Sequence, residues 1–183
     1  LADSLVFGFI PAGTGNGLVR SVTAVQDPTN WSIEEAAFTI IKGRKMGLDL
    51  TELEFEYQPE KKIYMFLSLS WGFIADVDIN SEAIRWAGPS RLTLWGIYRL
   101  MARQYYNGTF IYNGVRVENN KIQVNFEQNP PTKQSISGTF SHLIIQNVAY
   151  ISSHMFSCPL SSIDDGVNDI TIHMGEKSRA QLT

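Results

Sequence analysis

The sequence predicts two architectures in succession, an α/β region ending near residue 46 and then an all-β region folded as an antiparallel sandwich. Three observations carry this expectation. An apolar run of strand length, Leu5-Val6-Phe7-Gly8-Phe9-Ile10, leads into a glycine-rich turn and a helix start. A capped amphipathic helix follows. From Met46 the apolar period then changes to two, and short strand-like segments separated by polar or proline-containing loops run to the end of the chain. The expected division is therefore residues 1–46 and residues 47–183.

The turn reads Pro11-Ala12-Gly13-Thr14-Gly15-Asn16-Gly17. Glycines let a backbone approach an anion closely and adopt positive φ. Free N–H groups at the helix start, helped by the helix dipole, then face that anion. Thr14 and Asn16 add a hydroxyl and an amide able to hydrogen-bond phosphate oxygens. No Lys-Ser/Thr follows the glycines, so this is not a Walker A loop. A dinucleotide fingerprint read from Gly13 requires glycine where Leu18 stands. Taken alone, the pattern equally suits a strand-to-helix turn without a ligand.

Ser32 and Glu35 form a capping box, and Ile33, Ala36, Ala37, Ile40 and Ile41 recur at helical spacing. Gly43 suits the C-cap, with Glu34 and Glu35 in the first turn and Lys42, Arg44 and Lys45 at the end. This reads as a scaffold helix. Beyond Met46, Leu48 and Leu50 alternate with polar residues, and Leu53, Phe55 and Tyr57 do so on the opposite parity, as in one bulged strand or two short ones. Gln58-Pro59-Glu60-Lys61 reads as a turn and residues 63–69 as a strand. Residues 80–86 suit a short helix stopped by Gly88-Pro89, and Ser90 suits the cap of a second helix over 91–104. Asn107-Gly108 is a turn signal, with strands expected at 109–112, 121–127, 138–148 and 167–174.

Composition narrows the function classes. A net charge of −3 over 183 residues gives no case for nucleic-acid binding, and there is no polybasic run for anionic membrane. The longest apolar stretches are far short of a spanning helix. Nothing at the N-terminus reads as a signal peptide. The single cysteine, Cys158, rules out an internal disulfide framework and fits a reducing, cytoplasmic compartment. His142, His154 and His173 lie far apart without metal-ligand spacing and read as structural. The chain opens in mid-element without Met and ends on Ser178-Arg179-Ala180-Gln181-Leu182-Thr183, so an internal piece of a longer protein is expected.

Pro11-Ala12-Gly13-Thr14-Gly15-Asn16 resembles the second nucleotide loop of the diacylglycerol kinase and sphingosine kinase superfamily. Ser70-Trp71-Gly72-Phe73-Ile74-Ala75-Asp76-Val77-Asp78 resembles the lipid-site signature of sphingosine kinases. Ser81-Glu82, Arg85, Gly88, Arg91 and Leu92-Thr93-Leu94 keep that family's spacing. The resemblance runs from about Gly8 to Arg103, and weakly to the end. It implies the end of a nucleotide-binding domain followed by a lipid-binding sandwich incomplete at its C-terminus. It also implies ATP and Mg2+ as cofactors, a sphingoid-base substrate and a peripheral membrane surface.

By that resemblance Gly13, Thr14, Gly15, Asn16, Arg85 and Arg91 contact the nucleotide phosphates. Arginine forks suit this role because they bind phosphate oxygens bidentately. Asp78 is expected to hold the cationic, hydroxylated head group, with Asp76 as its supporting neighbour. From the residues alone, the favoured reading is that both aspartates terminate the strand, one of them capping the next helix. Ser68, Phe73, Ile74, Leu92, Met155 and Phe156 are the lipid-pocket candidates, and apolar residues of this kind also serve as plain core. Asp164-Asp165-Gly166 resembles a turn at which a divalent ion can sit, with Asp165 the candidate ligand. The family's Gly-Gly-Asp-Gly loop, which carries the base, would precede Leu1, and its C-terminal Gly- and Glu-containing motif would follow Thr183. The expectation is a lipid-kinase fragment that does not catalyse transfer unaided. A diacylglycerol or ceramide kinase and a non-catalytic lipid-binding module are the alternatives.

Overall fold

The computed structural model describes residues 6–13, 15–23, 32–43, 45–113, 116–118, 121–123 and 133–175. It divides into two compact units. Unit 1 comprises residues 1–70 and 144–171, and unit 2 comprises residues 71–143 and 172–183. The chain mixes helices with sheets, and every strand pair with a defined register is antiparallel.

In unit 1, helix α1 (Gly17–Val22) follows the glycine-rich turn and α2 (Ile33–Lys42) follows the predicted capping box. The box closes in both directions. Ser32 N–H donates to Glu35 Oε2 at 2.9 Å, and Glu35 N–H donates to Ser32 Oγ at 3.1 Å. Strand β1 (Thr51–Phe55) pairs with β2 (Gln58–Met65), with a register irregularity between Leu53 and Phe55. β8 (Tyr150–Ser152) and β9 (Met155–Phe156) make a small hairpin. The core is Leu18, Val148 and Ile163, with Phe9, Val22, Leu48 and Leu67 packed against it. Asn147 ties three strands of chain together by donating from Nδ2 to Asp49 O (3.1 Å) and from its N–H to Leu67 O (3.0 Å).

Unit 2 holds α3 (Phe73–Ser81), a 3-10 helix over Glu82–Ala87, α4 (Ser90–Ala102), β4 (Tyr106–Asn113) and the pair β5 (Arg116–Glu118) and β6 (Lys121–Gln123). β4 runs antiparallel to residues 133–140 of β7 (Lys133–Gln146), with Tyr106 opposite Phe140 and Asn113 opposite Lys133. The larger sheet has the order β10 (Asp169–Met174), β7, β3 (Ser68–Gly72), and β4 also pairs with β7. The unit boundaries fall inside β3, β7 and β10.

Several local expectations are corrected. Residues 6–10 form no strand. Val6 and Phe7 are exposed, and no described strand pairs with them. A strand needs that hydrogen-bonded neighbour as well as an apolar run. Gln58-Pro59-Glu60-Lys61 lies inside β2, the turn being Glu56-Tyr57. The expected strand over 63–69 is instead the end of β2 and the start of β3, separated by Phe66-Leu67. Asn107-Gly108 is strand, not turn. A Cβ at Gly108 would stand 3.3 Å from Trp71, so the glycine makes room for the indole. Ser90 is the first residue of α4 rather than its cap and makes no capping bond. The part of the expected 121–127 strand beyond Gln123 lies outside the described residues.

The junction between β3 and α3 bears on function. Asp76 and Asp78 lie past the end of β3 and within α3, because that helix begins at Phe73 rather than at Asn80. Gly72, at φ 80°, turns the chain from strand to helix in one residue. A Cβ there would lie 2.4 Å from Ser141 O, so a close backbone approach also requires glycine.

Candidate functional site

In unit 1 the glycine-rich loop is held by its own asparagine. Asn16 adopts the left-handed conformation (φ 46°) as N-cap of α1. Its Oδ1 accepts from Gly13 N–H at 3.2 Å and its Nδ2 donates to Gly13 O at 2.7 Å. Gly13 and Gly15 are exposed, and Thr14 lies outside the described residues. The loop is tethered from behind by β8 and the residue after it. Ser153 N–H donates to Gly15 O, and Arg20 donates to Ser153 O while stacking 4.5 Å over the Tyr150 ring. Gly17 permits this approach, since a Cβ there would stand 2.6 Å from Tyr150 O.

Also in unit 1, Ser68 is half-buried. Met155 and Phe156 are exposed on the β8–β9 hairpin, where Phe156 stacks on Tyr150 at 4.5 Å. Asp165 Oδ1 accepts from Val167 N–H at 3.0 Å within its turn. Asp49 Oδ2 accepts from Gly166 N–H at 2.6 Å. Among the described residues no group of three His, Cys, Asp or Glu is placed to hold a metal ion.

In unit 2 the two aspartates of α3 part company. Residues two apart on a helix face away from each other. Asp76 faces α4 and β4, where Arg99 donates to its Oδ2 from Nε (3.1 Å) and Nη2, and Tyr106 donates from its hydroxyl at 2.6 Å. Arg99 is 3% exposed. Burial and the Asp76 carboxylate push the Tyr106 phenol above its ordinary value. Asp78 is exposed, and its carboxylate has no partner among the described residues. Phe73 and Ile74 on α3 are half-buried, and Leu92 on α4 is exposed.

Arg85 and Arg91, on the two sides of the Gly88-Pro89 break, converge on one carboxylate. Arg85 lies 3.2 Å from Glu82 Oε2, and Arg91 donates to Glu82 Oε1. The Arg91 bond first, and the Arg85 charge with it, holds the Glu82 carboxyl below its usual range. Glu82 thus presents both guanidiniums from one place.

Sequence reasoning passed over Arg99 and Tyr106, which bind Asp76, and kept His142 and His173 apart. The two imidazoles stack at 4.3 Å. They line a cavity of about 240 Å3 with Phe73, Arg99, Arg103 and Ser141. The available signal was Arg99 itself, one cation inside Trp95-Gly96-Ile97-Tyr98-Arg99-Leu100-Met101.

No protein-family model matches the chain. It is 27% identical to sphingosine kinase 2 of Arabidopsis thaliana over 93% of its own length and 39% of that protein's. It is 27% identical to sphingosine kinase 1 of Mus musculus over 94% of its length and 50% of that protein's. Against ceramide kinase of Arabidopsis thaliana it is 28% identical over 64% of its length and 20% of that protein's. The chain thus spans half or less of the length of these curated relatives.

Proposed function

The chain is kin to the sphingosine kinase-like lipid kinases, and on that premise we propose that it is part of an enzyme that moves the γ-phosphate of ATP to the primary hydroxyl of a sphingoid base. The observation that carries the substrate reading is the division of labour on α3. Arg99 and Tyr106 bind Oδ2 of Asp76, whereas the Asp78 carboxylate is exposed and has no partner among the described residues. A carboxylate so placed accepts charge-assisted hydrogen bonds from an ammonium and neighbouring hydroxyls.

In this reading Gly13, Thr14, Gly15 and Asn16 are the phosphate-binding residues of unit 1, and the Glu82-held pair Arg85 and Arg91 are the phosphate-binding arginines of unit 2. Phosphoryl transfer depends on such positioning and charge stabilisation rather than covalent chemistry by the protein. Bound Mg2+ would supply further charge neutralisation on the phosphates. Residues 1–46 then form the end of the nucleotide domain and residues 47–183 a lipid-binding sandwich. Phe73, Ile74 and Leu92 are the lipid-contacting candidates of unit 2, and Ser68, Met155 and Phe156 are those of unit 1. Exposed Leu94, Ile97, Tyr98 and Met101 on α4 support peripheral contact with a membrane. No helix among the described residues is long and apolar enough to cross one.

The similarity to a ceramide kinase favours a second reading, a neutral-lipid kinase of the same superfamily. Asp78→Asn in the full-length protein separates the two. Selective loss of phosphorylation of the amine-bearing lipid supports the sphingoid reading. Equal activity on sphingosine before and after the change removes Asp78 as the head-group ligand, and activity on ceramide or diacylglycerol in place of sphingosine supports the neutral-lipid reading.

A further inference from the structure

The cavity of unit 2 holds an unusual collection of donors. Arg99 is 3% exposed and lines it. Two of its guanidinium nitrogens are engaged by Asp76, but Nη1 is buried without a hydrogen-bond partner. A buried charged donor left unmade costs more than an ordinary hydrogen bond is worth, so such a group calls for an acceptor. The Arg103 guanidinium adds a second fixed positive charge to the lining. The stacked imidazoles of His142 and His173 stand beside it, with Ser141 Oγ donating to His173 O at 3.4 Å. No carboxylate is among the lining residues.

We propose that this cavity is a binding site for a phosphomonoester or inorganic phosphate anion, ligated by Arg99 Nη1 and Arg103 with the His142–His173 pair beside it. The polar lining groups come from α4, from the turn just after it and from two strands, so they approach from several directions. That suits a tetrahedral anion with three or four acceptor oxygens better than a planar carboxylate. The volume of about 240 Å3 is several times the roughly 30 Å3 share of one water, enough for a phosphate group and a short ester stem. Phe73 and Leu100 supply apolar wall for that stem. The site does not depend on the glycine-rich loop or on Arg85 and Arg91.

The test is equilibrium dialysis of radiolabelled inorganic phosphate against the full-length protein at constant ionic strength. A second arm measures flotation with phosphatidylcholine vesicles doped with hexadecyl phosphate. Wild type is compared with Arg103→Gln, Arg99→Lys and, as a charge-matched control outside the cavity, Lys62→Gln. Circular dichroism establishes that each variant is folded. Because Arg103 is exposed at the end of α4, its replacement tests the site without depending on the buried Asp76 pair. We expect a component of phosphate binding that weakens about tenfold or more in both cavity variants and is unchanged in Lys62→Gln. The same loss confined to the vesicle arm identifies a lipid head group as the source of the anion. Binding equal in wild type and Arg103→Gln in both arms, or absent from both, overturns the proposal.

Discussion

Arg99 on α4 donates from Nε to Oδ2 of Asp76 on α3 at 3.1 Å, across 23 residues of sequence, and Tyr106 on β4 donates to the same oxygen. One carboxylate oxygen thereby joins two helices and a strand. Breaking a buried pair by removing one partner costs about 3–5 kcal/mol, whereas replacing both with neutral groups of similar size is often near neutral. Asp76→Ala is therefore expected to lower unfolding free energy by roughly that amount. The double variant Asp76→Asn/Arg99→Met should recover much of the loss. Urea denaturation of the two proteins measures both.

Tyr106 gives that network a pH dependence. Its phenol is raised above the ordinary tyrosine value of about 10, so the folded state retains the proton longer than the unfolded chain does. The stabilisation is fully present below pH 10 and is lost as pH rises through the raised value. The stability difference between wild type and Tyr106→Phe, followed by urea denaturation from pH 8 to 11, should be constant at first and shrink above about pH 10.

The loop in unit 1 separates conformation from binding. Asn16 holds a left-handed backbone that glycine adopts freely, and its side chain closes on Gly13. Asn16→Gly should leave thermal stability near wild type but raise the KM for ATP, because the clamp is gone and the backbone is not strained. Gly17→Ala should do more damage, since its new Cβ meets backbone at 2.6 Å. A loss of about 1–3 kcal/mol is expected in urea denaturation.

Arg85 and Arg91 share Glu82, and the proposed nucleotide role makes them sensitive to charge and shape. Replacing either with Ala should weaken binding of a fluorescent ATP analogue by about tenfold, and Lys should restore only part of it. Unchanged affinity in both Ala variants would remove them from the nucleotide site.

Local chemistry was legible in the sequence where the signal lay within one element. The Ser32–Glu35 box fixed the start of α2, and Gly88 at φ 60° ends the 3-10 helix as the Gly-Pro break implied. It was not legible where a distant neighbour decides. Gly108 looks like a hairpin turn until Trp71 lies over it, and residues 6–10 look like a strand without a paired neighbour. The Asp76–Arg99 bond and the His142–His173 stack belong to the same kind, because only the folded chain brings those residues together. The motif order pointed to the loop and the aspartates as candidates. The opposite facing of Asp76 and Asp78 followed only once α3 was seen to start at Phe73.

The most direct measurement is transfer of label from γ-labelled ATP by the full-length protein to sphingosine, diacylglycerol and ceramide, offered side by side. Our account predicts strong labelling of sphingosine and little of the two lipids that lack a free amine. Preferential labelling of diacylglycerol or ceramide, or no labelling of any lipid by folded protein, would contradict it.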